Sequence, residues 1–299
     1  MTPGEPEPVA VGDAADIYTV DVDMFVPRYG SVYVIDSDRP AIVDTGTGAN
    51  VDLVLDSLRE VGIEPPDLEI IAPTHVHLDH AGGAGYLVDR CPNADVYVHG
   101  RGARHLADPG RLWAGTKQAV PDWLDHYAEP KAVPDERLVQ LEDGGTIDLG
   151  DRDLDVYDAP GHAPHQAVFD DPASDCVFVA DAAGLYTEGL DGPYPTTPPP
   201  NLDVEQCLSD VELLESLDRS GLLFAHCGPA ETDGLLEASA TALREWVREV
   251  EAARDRAGTD EVDAVVAELD PWPDAAAVWG EQHVRETQML NVRGVLARE

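Results

Sequence analysis

The stretch Thr74-His75-Val76-His77-Leu78-Asp79-His80 puts four metal-capable side chains within six residues. Before it lies Leu68-Glu69-Ile70-Ile71-Ala72, a short apolar run that reads as a buried strand. After it come Ala81-Gly82-Gly83-Ala84-Gly85, small residues that let backbone pack closely before a helix. The cluster therefore belongs on a strand-to-helix loop at the carboxyl end of a strand, where open α/β sheets place their chemistry. His75 and His77 are two apart, so in extended backbone they project to one side. Asp79 and His80 follow where the chain turns. Two nitrogens are thus offered to one metal, and an oxygen and a nitrogen to a second. Imidazole with carboxylate suits zinc, and also iron or manganese. A polar loop that is His-rich without chemistry is the weaker reading at these offsets.

Further metal-capable residues obey the same placement rule. Runs of β-branched and aromatic residues predict strands at 17–20, 31–35, 41–43, 95–99, 146–149, 154–157, 167–169, 176–179 and 222–225. Asp44, His162, Asp181 and His226 sit at or just after the ends of such strands. Strand ends along one edge can converge on a point, so these residues predict a single site with the 75–80 cluster. Helical periodicity covers 51–61, 83–90, 203–218 and most of the chain beyond 232.

The H-x-H-x-D-H motif at 75–80, Val43-Asp44-Thr45-Gly46, Pro160-Gly161-His162, Ala180-Asp181 and the strand-end His226 together resemble the metallo-β-lactamase superfamily, over about residues 15 to 230. The resemblance implies an α/β fold, an αββα sandwich of two mixed sheets with helices outside. On that reading 1–14 is a loose tail, 15–231 the catalytic domain and 232–299 a helical C-terminal region. That helical region looks more like the glyoxalase II, thioesterase and lactonase branches than the antibiotic-degrading enzymes. The resemblance further implies two divalent metal ions. His75, His77 and His162 would hold one, Asp79, His80 and His226 the other, with Asp181 bridging. Asp44 would hold a ligand His in its tautomer, and Asp79, Asp181 and Asp44 are the carboxylates expected to serve catalysis. The expected reaction is attack of a metal-activated hydroxide on a thioester or lactone/ester bond. Phosphodiester cleavage, as in RNA-processing members, and mono-iron persulfide oxidation are the alternatives. No Gly-x-Ser-x-Gly nucleophile elbow is present.

Two positions depart from the family pattern. Gln166 stands four residues after His162, where many of these hydrolases carry His or Ser, and His165 falls one residue earlier. His165 is expected to line the pocket. Tyr186 is a candidate to face a substrate oxyanion, but its offset from Asp181 is unusual and a packed aromatic is the favoured reading.

Charge narrows the partners. The chain of 299 residues has 59 acidic and 19 basic residues, a net charge of −40, with the acids spread along its length. Such a surface repels itself in dilute buffer and is relieved when salt screens it. The unfolding temperature is therefore expected to rise from dilute buffer to molar salt; equal stability and activity in both would overturn this halophilic-type reading. Nucleic acid is not an expected partner, because no basic surface is evident. Against this background Arg101, Arg104, Arg111 and Lys117 form a local positive cluster within a cap-like insert at 101–130, which either attracts an anionic small-molecule substrate or offsets neighbouring acids in solvent, the charge pattern alone favouring neither. Specificity should also lie in the Pro-rich loop 186–201. The acidic, Pro-rich start lacks the features of a signal peptide and no run of eighteen apolar residues occurs, so a cytoplasmic protein without a membrane span is expected. A homodimer is a further expectation, and the four cysteines, none in a C-x-x-C pair, should be free thiols.

Overall fold

The computed structural model describes residues 2–187 and 189–298; Met1, Glu188 and Glu299, which fall in the predicted tail, loop and C-terminal region, lie outside the described residues. Among the described residues the strands form two mixed sheets. The first has the order β1 (Pro6–Pro8), β2 (Ile17–Asp21), β3 (Ser31–Ile35), β4 (Ala41–Val43), β5 (Ile70–Ala72), β6 (Asp95–His99) and β7 (Leu138–Leu141). β1 to β4 pair antiparallel and β4 to β7 parallel. The second contains β8 (Thr146–Asp148), β9 (Asp153–Asp158), β10 (Ala167–Asp171), β11 (Cys176–Ala180), β12 (Gly221–Phe224) and β13 (Gly228–Glu231), antiparallel except for β11 against β12.

Side-chain alternation builds the layers. Along β10 and β11, Phe169 and Phe178 face the other sheet and join Ile17, Tyr33, Ile35, Val43 and Ile70 in a core between the sheets. The intervening Val168, Val177 and Val179 face outward, against Val211 and Leu214 of α6 (Val204–Leu217) and Leu236 and Ala240 of α7 (Leu235–Ala257). The outer face of the first sheet, with Val34, Ile42, Ile71 and Val96, is covered by Val54, Leu55 and Leu58 of α1 (Val51–Val61) and by Leu87 of α3 (Ala84–Arg90), which follows the short α2 (Leu78–Ala81). Strands buried on both faces read as continuous apolar runs, which is why they were legible. α4 (Gly100–Ala107) and α5 (Gly110–Ala119) occupy the insert, and α8 (Val262–Val266), α9 (Pro273–Trp279) and α10 (Glu281–Ala297) complete the C-terminal region. The chain is thus an α/β sandwich with helices outside two mixed sheets.

The expectation of a loose tail at 1–14 is corrected. Pro6–Pro8 pairs antiparallel with β2, and Val9 and Ala14 are buried. An edge strand needs few amide donors and can hold proline, so it has no alternating apolar signature. β13 (Gly-Pro-Ala-Glu), another proline-bearing edge strand, was missed for the same reason, and the four-residue edge strand β7 was also not predicted. No helix is long and apolar enough to cross a membrane among the described residues.

Candidate metal centre

The loop after β5 bends at Thr74 and His75 and runs to His77, whose backbone (φ −61°, ψ 146°) caps α2, so Asp79 and His80 enter on a helical turn. This delivers the predicted geometry. His75 Nε2 lies 2.9 Å from His77 Nδ1, and His162 Nε2 lies 3.1 Å from the same atom, so three ring nitrogens face one point. Asp79 Oδ2 lies 3.7 Å from His80 Nε2 and 3.8 Å from His226 Nε2. Asp181 stands between the two groups. Its Oδ2 is 3.1 Å from His162 Nε2 and 3.5 Å from His80 Nε2, and its Oδ1 is 3.4 Å from His226 Nε2. Donor atoms of His75, His77 and His162, of His75, His80 and Asp181, and of Asp79, His80 and His226 form three groups, each within 4.8 Å. The seven residues named from strand ends therefore meet in one place.

The donor set fits metal ions. His80 Nδ1 lies 3.0 Å from Asp44 Oδ2, and His162 Nδ1 lies 3.4 Å from the Thr196 carbonyl oxygen. Each N–H so donated leaves the Nε2 lone pair aimed at the centre. His80 Nε2 and Asp181 Oδ1 are buried without a hydrogen-bond partner. Burial, with the neighbouring imidazoles of His162 and His80, pushes His77 down to about 3, and burial likewise holds His75 well below the usual histidine range. Burial opposes protonation of His80 too, but Asp79, Asp181 and Asp44 outweigh it and raise it well above that range. Burial also opposes the charge on Asp181, yet His162, His80 and His226 hold it below the usual carboxylate range. Imidazoles and buried carboxylates aimed at one point could hold divalent cations, whose charge would replace the proton that the carboxylates favour on His80.

The backbone around the centre is specialised. Asp44 (φ 63°), Ala180 (φ 50°) and Cys227 (φ 75°) adopt left-handed conformations, each at or beside a site residue. Such strain in non-glycine residues persists where the surroundings impose it. Asp44 itself touches His80 and accepts from the Thr74 amide at 2.8 Å. It stands on the Nδ1 side of His80 and does not line the cavity, a place from which it would position that ring, as the family resemblance implies. Asp44→Asn is expected to weaken metal affinity about 10–100-fold, read by competitive chelator titration; unchanged affinity would sink that role. Gly161 is held by its amide to Asp210 Oδ2 at 2.7 Å, and a Cβ there would lie 2.2 Å from the Cys207 amide nitrogen.

The substrate-side expectations divide. Arg101, Arg104 and His165 line a cavity of about 880 Å³ that opens on His77, Asp79, His162, Asp181 and His226. His165 packs beside His77 with ring centroids 5.7 Å apart, and its Nδ1 faces the Val76 amide at 3.5 Å. Tyr186 does not line the cavity. After Asp181 the chain turns at Gly184 (φ 77°), and Leu185 pairs with Tyr194. Alternation then sends Leu185 to the cavity and Tyr186 against Phe224, 6.2 Å between centroids. The tyrosines that do line it, Tyr29 and Tyr127, were not singled out in the sequence. Gln166, noted in the sequence as a departure, is fully buried, donates to the Ala159 carbonyl at 3.0 Å and accepts from the Asp181 amide at 3.4 Å. The Gln thus braces both His162's loop and Asp181. Only its place in the family pattern marked it.

A two-sheet sandwich with a His/Asp centre at its strand ends defines a metallo-β-lactamase-type protein. The model of the metallo-beta-lactamase superfamily matches residues 26–226, and the chain belongs to that superfamily. It is 30% identical over 160 residues to the acyl-coenzyme A thioesterase MBLAC2 of Gallus gallus, covering 48% of this chain and 54% of that protein. It is 31% identical over 179 residues to a hydroxyacylglutathione hydrolase of Synechococcus sp. (strain JA-3-3Ab), covering 58% and 56%. The chain thus spans about half the length of these curated relatives. Among solved structures, the archaeal superfamily protein ST1585 from Sulfolobus tokodaii superimposes with a TM-score of 0.69 at 21% identity, over 97% of this chain and 98% of that one.

Proposed function

We propose that the protein is a metal-dependent hydrolase that cleaves thioesters of small molecules. The observation that carries this reading is the position of Asp181, between two groups of convergent histidines at the floor of a large cavity. His75, His77 and His162 would hold one divalent cation, and Asp79, His80 and His226 a second, with Asp181 shared. Zinc suits this N/O donor set best, with iron and manganese as alternatives. Bound there, such ions supply the Lewis acidity that makes a water nucleophilic near neutral pH and polarises an acyl carbonyl.

The chain's own groups do the rest. Asp79 is the more exposed of the two central carboxylates and faces the cavity, so it can accept the proton of the attacking water and pass it to the leaving thiolate. Burial, then the charge of Asp79, holds the Tyr127 phenol well above its usual range, so it remains a hydrogen-bond donor at the cavity wall. The names of the thioesterase and hydroxyacylglutathione hydrolase relatives support a thioester as the bond.

The test is a hydrolysis panel in high salt (acyl thioesters, lactones, phosphodiesters), run with metal analysis. Thioester turnover lost on chelation and restored by a divalent ion is expected. Turnover undiminished in metal-free protein would overturn the mechanism. A preference for lactones or phosphodiesters would overturn the assigned bond.

A further inference from the structure

The cavity inverts the charge of the molecule. Of 59 acidic residues, those lining it are Asp79 and Asp181, both in the metal centre, whereas four of the 19 basic residues line it: Arg101, Arg104, Arg111 and Arg293. Arg101 and Arg104 come from α4, Arg111 from α5 and Arg293 from α10, so three elements deliver guanidinium groups to one space. Among the described residues none of the four pairs with a carboxylate. Arg101 Nη1 donates to the Pro164 carbonyl at 3.1 Å and Arg293 Nη1 to the Ala119 carbonyl at 2.8 Å, while Arg104 Nε faces His105 Nε2 at 3.3 Å. In a chain with a threefold excess of acids, most other basic residues do find acidic partners, as Arg39, Arg137, Arg152 and Arg219 do. Four cations kept clear of carboxylates in one cavity offer open donors to an anionic ligand.

The balance of charge selects among thiol carriers. A peptide thiol of the glutathione kind brings an ammonium as well as carboxylates. Its ammonium would need an acid, and the cavity offers none outside the metal centre. A phosphorylated carrier brings anions alone. The cavity's size, about 880 Å³, lies near the top of the ordinary ligand-site range of roughly 300–1,000 Å³ and suits a long ligand. One wall is aromatic. Phe25 packs on Trp123 and Tyr127 with centroids 4.7 and 5.7 Å away, and all three line the cavity. Such a wall accepts an acyl chain or a stacked base.

We propose that the cavity binds a thiol carrier bearing several phosphoryl groups through Arg101, Arg104, Arg111 and Arg293, so that the substrate is the acyl thioester of such a carrier. The carrier site stands on the arginines alone; the word thioester rests on the proposed hydrolase activity.

Coenzyme A and pantetheine share a thiol arm and differ in the phosphorylated nucleotide, so they isolate the arginines from any thiol–metal contact. Calorimetric titration of the metal-loaded protein is expected to show coenzyme A binding at least about tenfold more tightly than pantetheine, with the difference shrinking as salt rises. Arg104→Gln with Arg111→Gln, both on exposed faces, should weaken coenzyme A binding about tenfold or more. In kinetics, the double variant should bring the KM ratio of acetyl-pantetheine to acetyl-coenzyme A toward one. Equal binding of the two thiols by the unaltered protein, or a KM ratio that the double variant leaves unchanged, would overturn the proposal. Tighter binding of glutathione than of coenzyme A would do the same. Arginine-dependent coenzyme A binding without hydrolysis of any thioester would leave the carrier site standing and sink the hydrolase reading. Hydrolysis that ignores the phosphates would sink the carrier site alone.

Discussion

Asp181→Asn is expected to lower hydrolytic turnover by about 10²-fold or more and to reduce the divalent metal retained per chain. Asparagine keeps the shape of the side chain, and the backbone contacts of position 181 do not involve the carboxylate: its amide faces Gln166 Oε1 and its carbonyl accepts from Thr196 Oγ1 at 2.9 Å. What is lost is the negative charge between His162, His80 and His226. Metal content by emission spectrometry and turnover of a thioester should fall together, with the circular dichroism unchanged. A metal-poor variant that kept full activity would refute the role of the centre.

Trp246→Ala is expected to cost about 3–5 kcal/mol of stability, a large share of the roughly 5–15 kcal/mol that holds a typical domain. Trp246 lies on α7, 3% exposed, with its ring against Trp272 at 5.2 Å between centroids. Its indole N–H donates to Thr197 Oγ1 at 3.1 Å, and that hydroxyl donates to the Asn291 carbonyl at 3.1 Å. Asn291 of α10 in turn accepts from the Thr197 amide and donates to the Pro195 carbonyl. Truncation therefore opens a void and removes a partner from the chain that ties the C-terminal helices to the loop lining the cavity floor. Urea unfolding in high salt reads the loss. Trp246→Phe, which keeps a ring but not the N–H, should cost about 1–2 kcal/mol. A loss below 1 kcal/mol for the alanine variant would show that the tryptophan is not an anchor.

The core strands were legible because burial on both faces writes itself as uninterrupted β-branched and aromatic runs, as at 31–35 and 176–180. β1 was not, because Pro6 and Pro8 sit on an edge where half the amides need no partner. Tyr186 is the packed aromatic that the sequence weighed against a substrate-facing role, because a one-residue turn offset decides which face a side chain takes. Only the turn at Gly184 and the pairing of Leu185 with Tyr194 settled it.

The amino-acid sequence by itself determined the members of the centre. His75, His77, Asp79 and His80 carry local spacing, and Asp44, His162, Asp181 and His226 follow strand ends within motifs that resemble the superfamily, so pattern and resemblance together named them. Only the tertiary structure decided what surrounds them. Tyr29 and Tyr127 reach the cavity from separate loops, and Arg293 reaches it because α10 returns to meet α5 through the Ala119 carbonyl. Contacts between residues so far apart in the chain arise from the packing of whole elements, and no local periodicity encodes them.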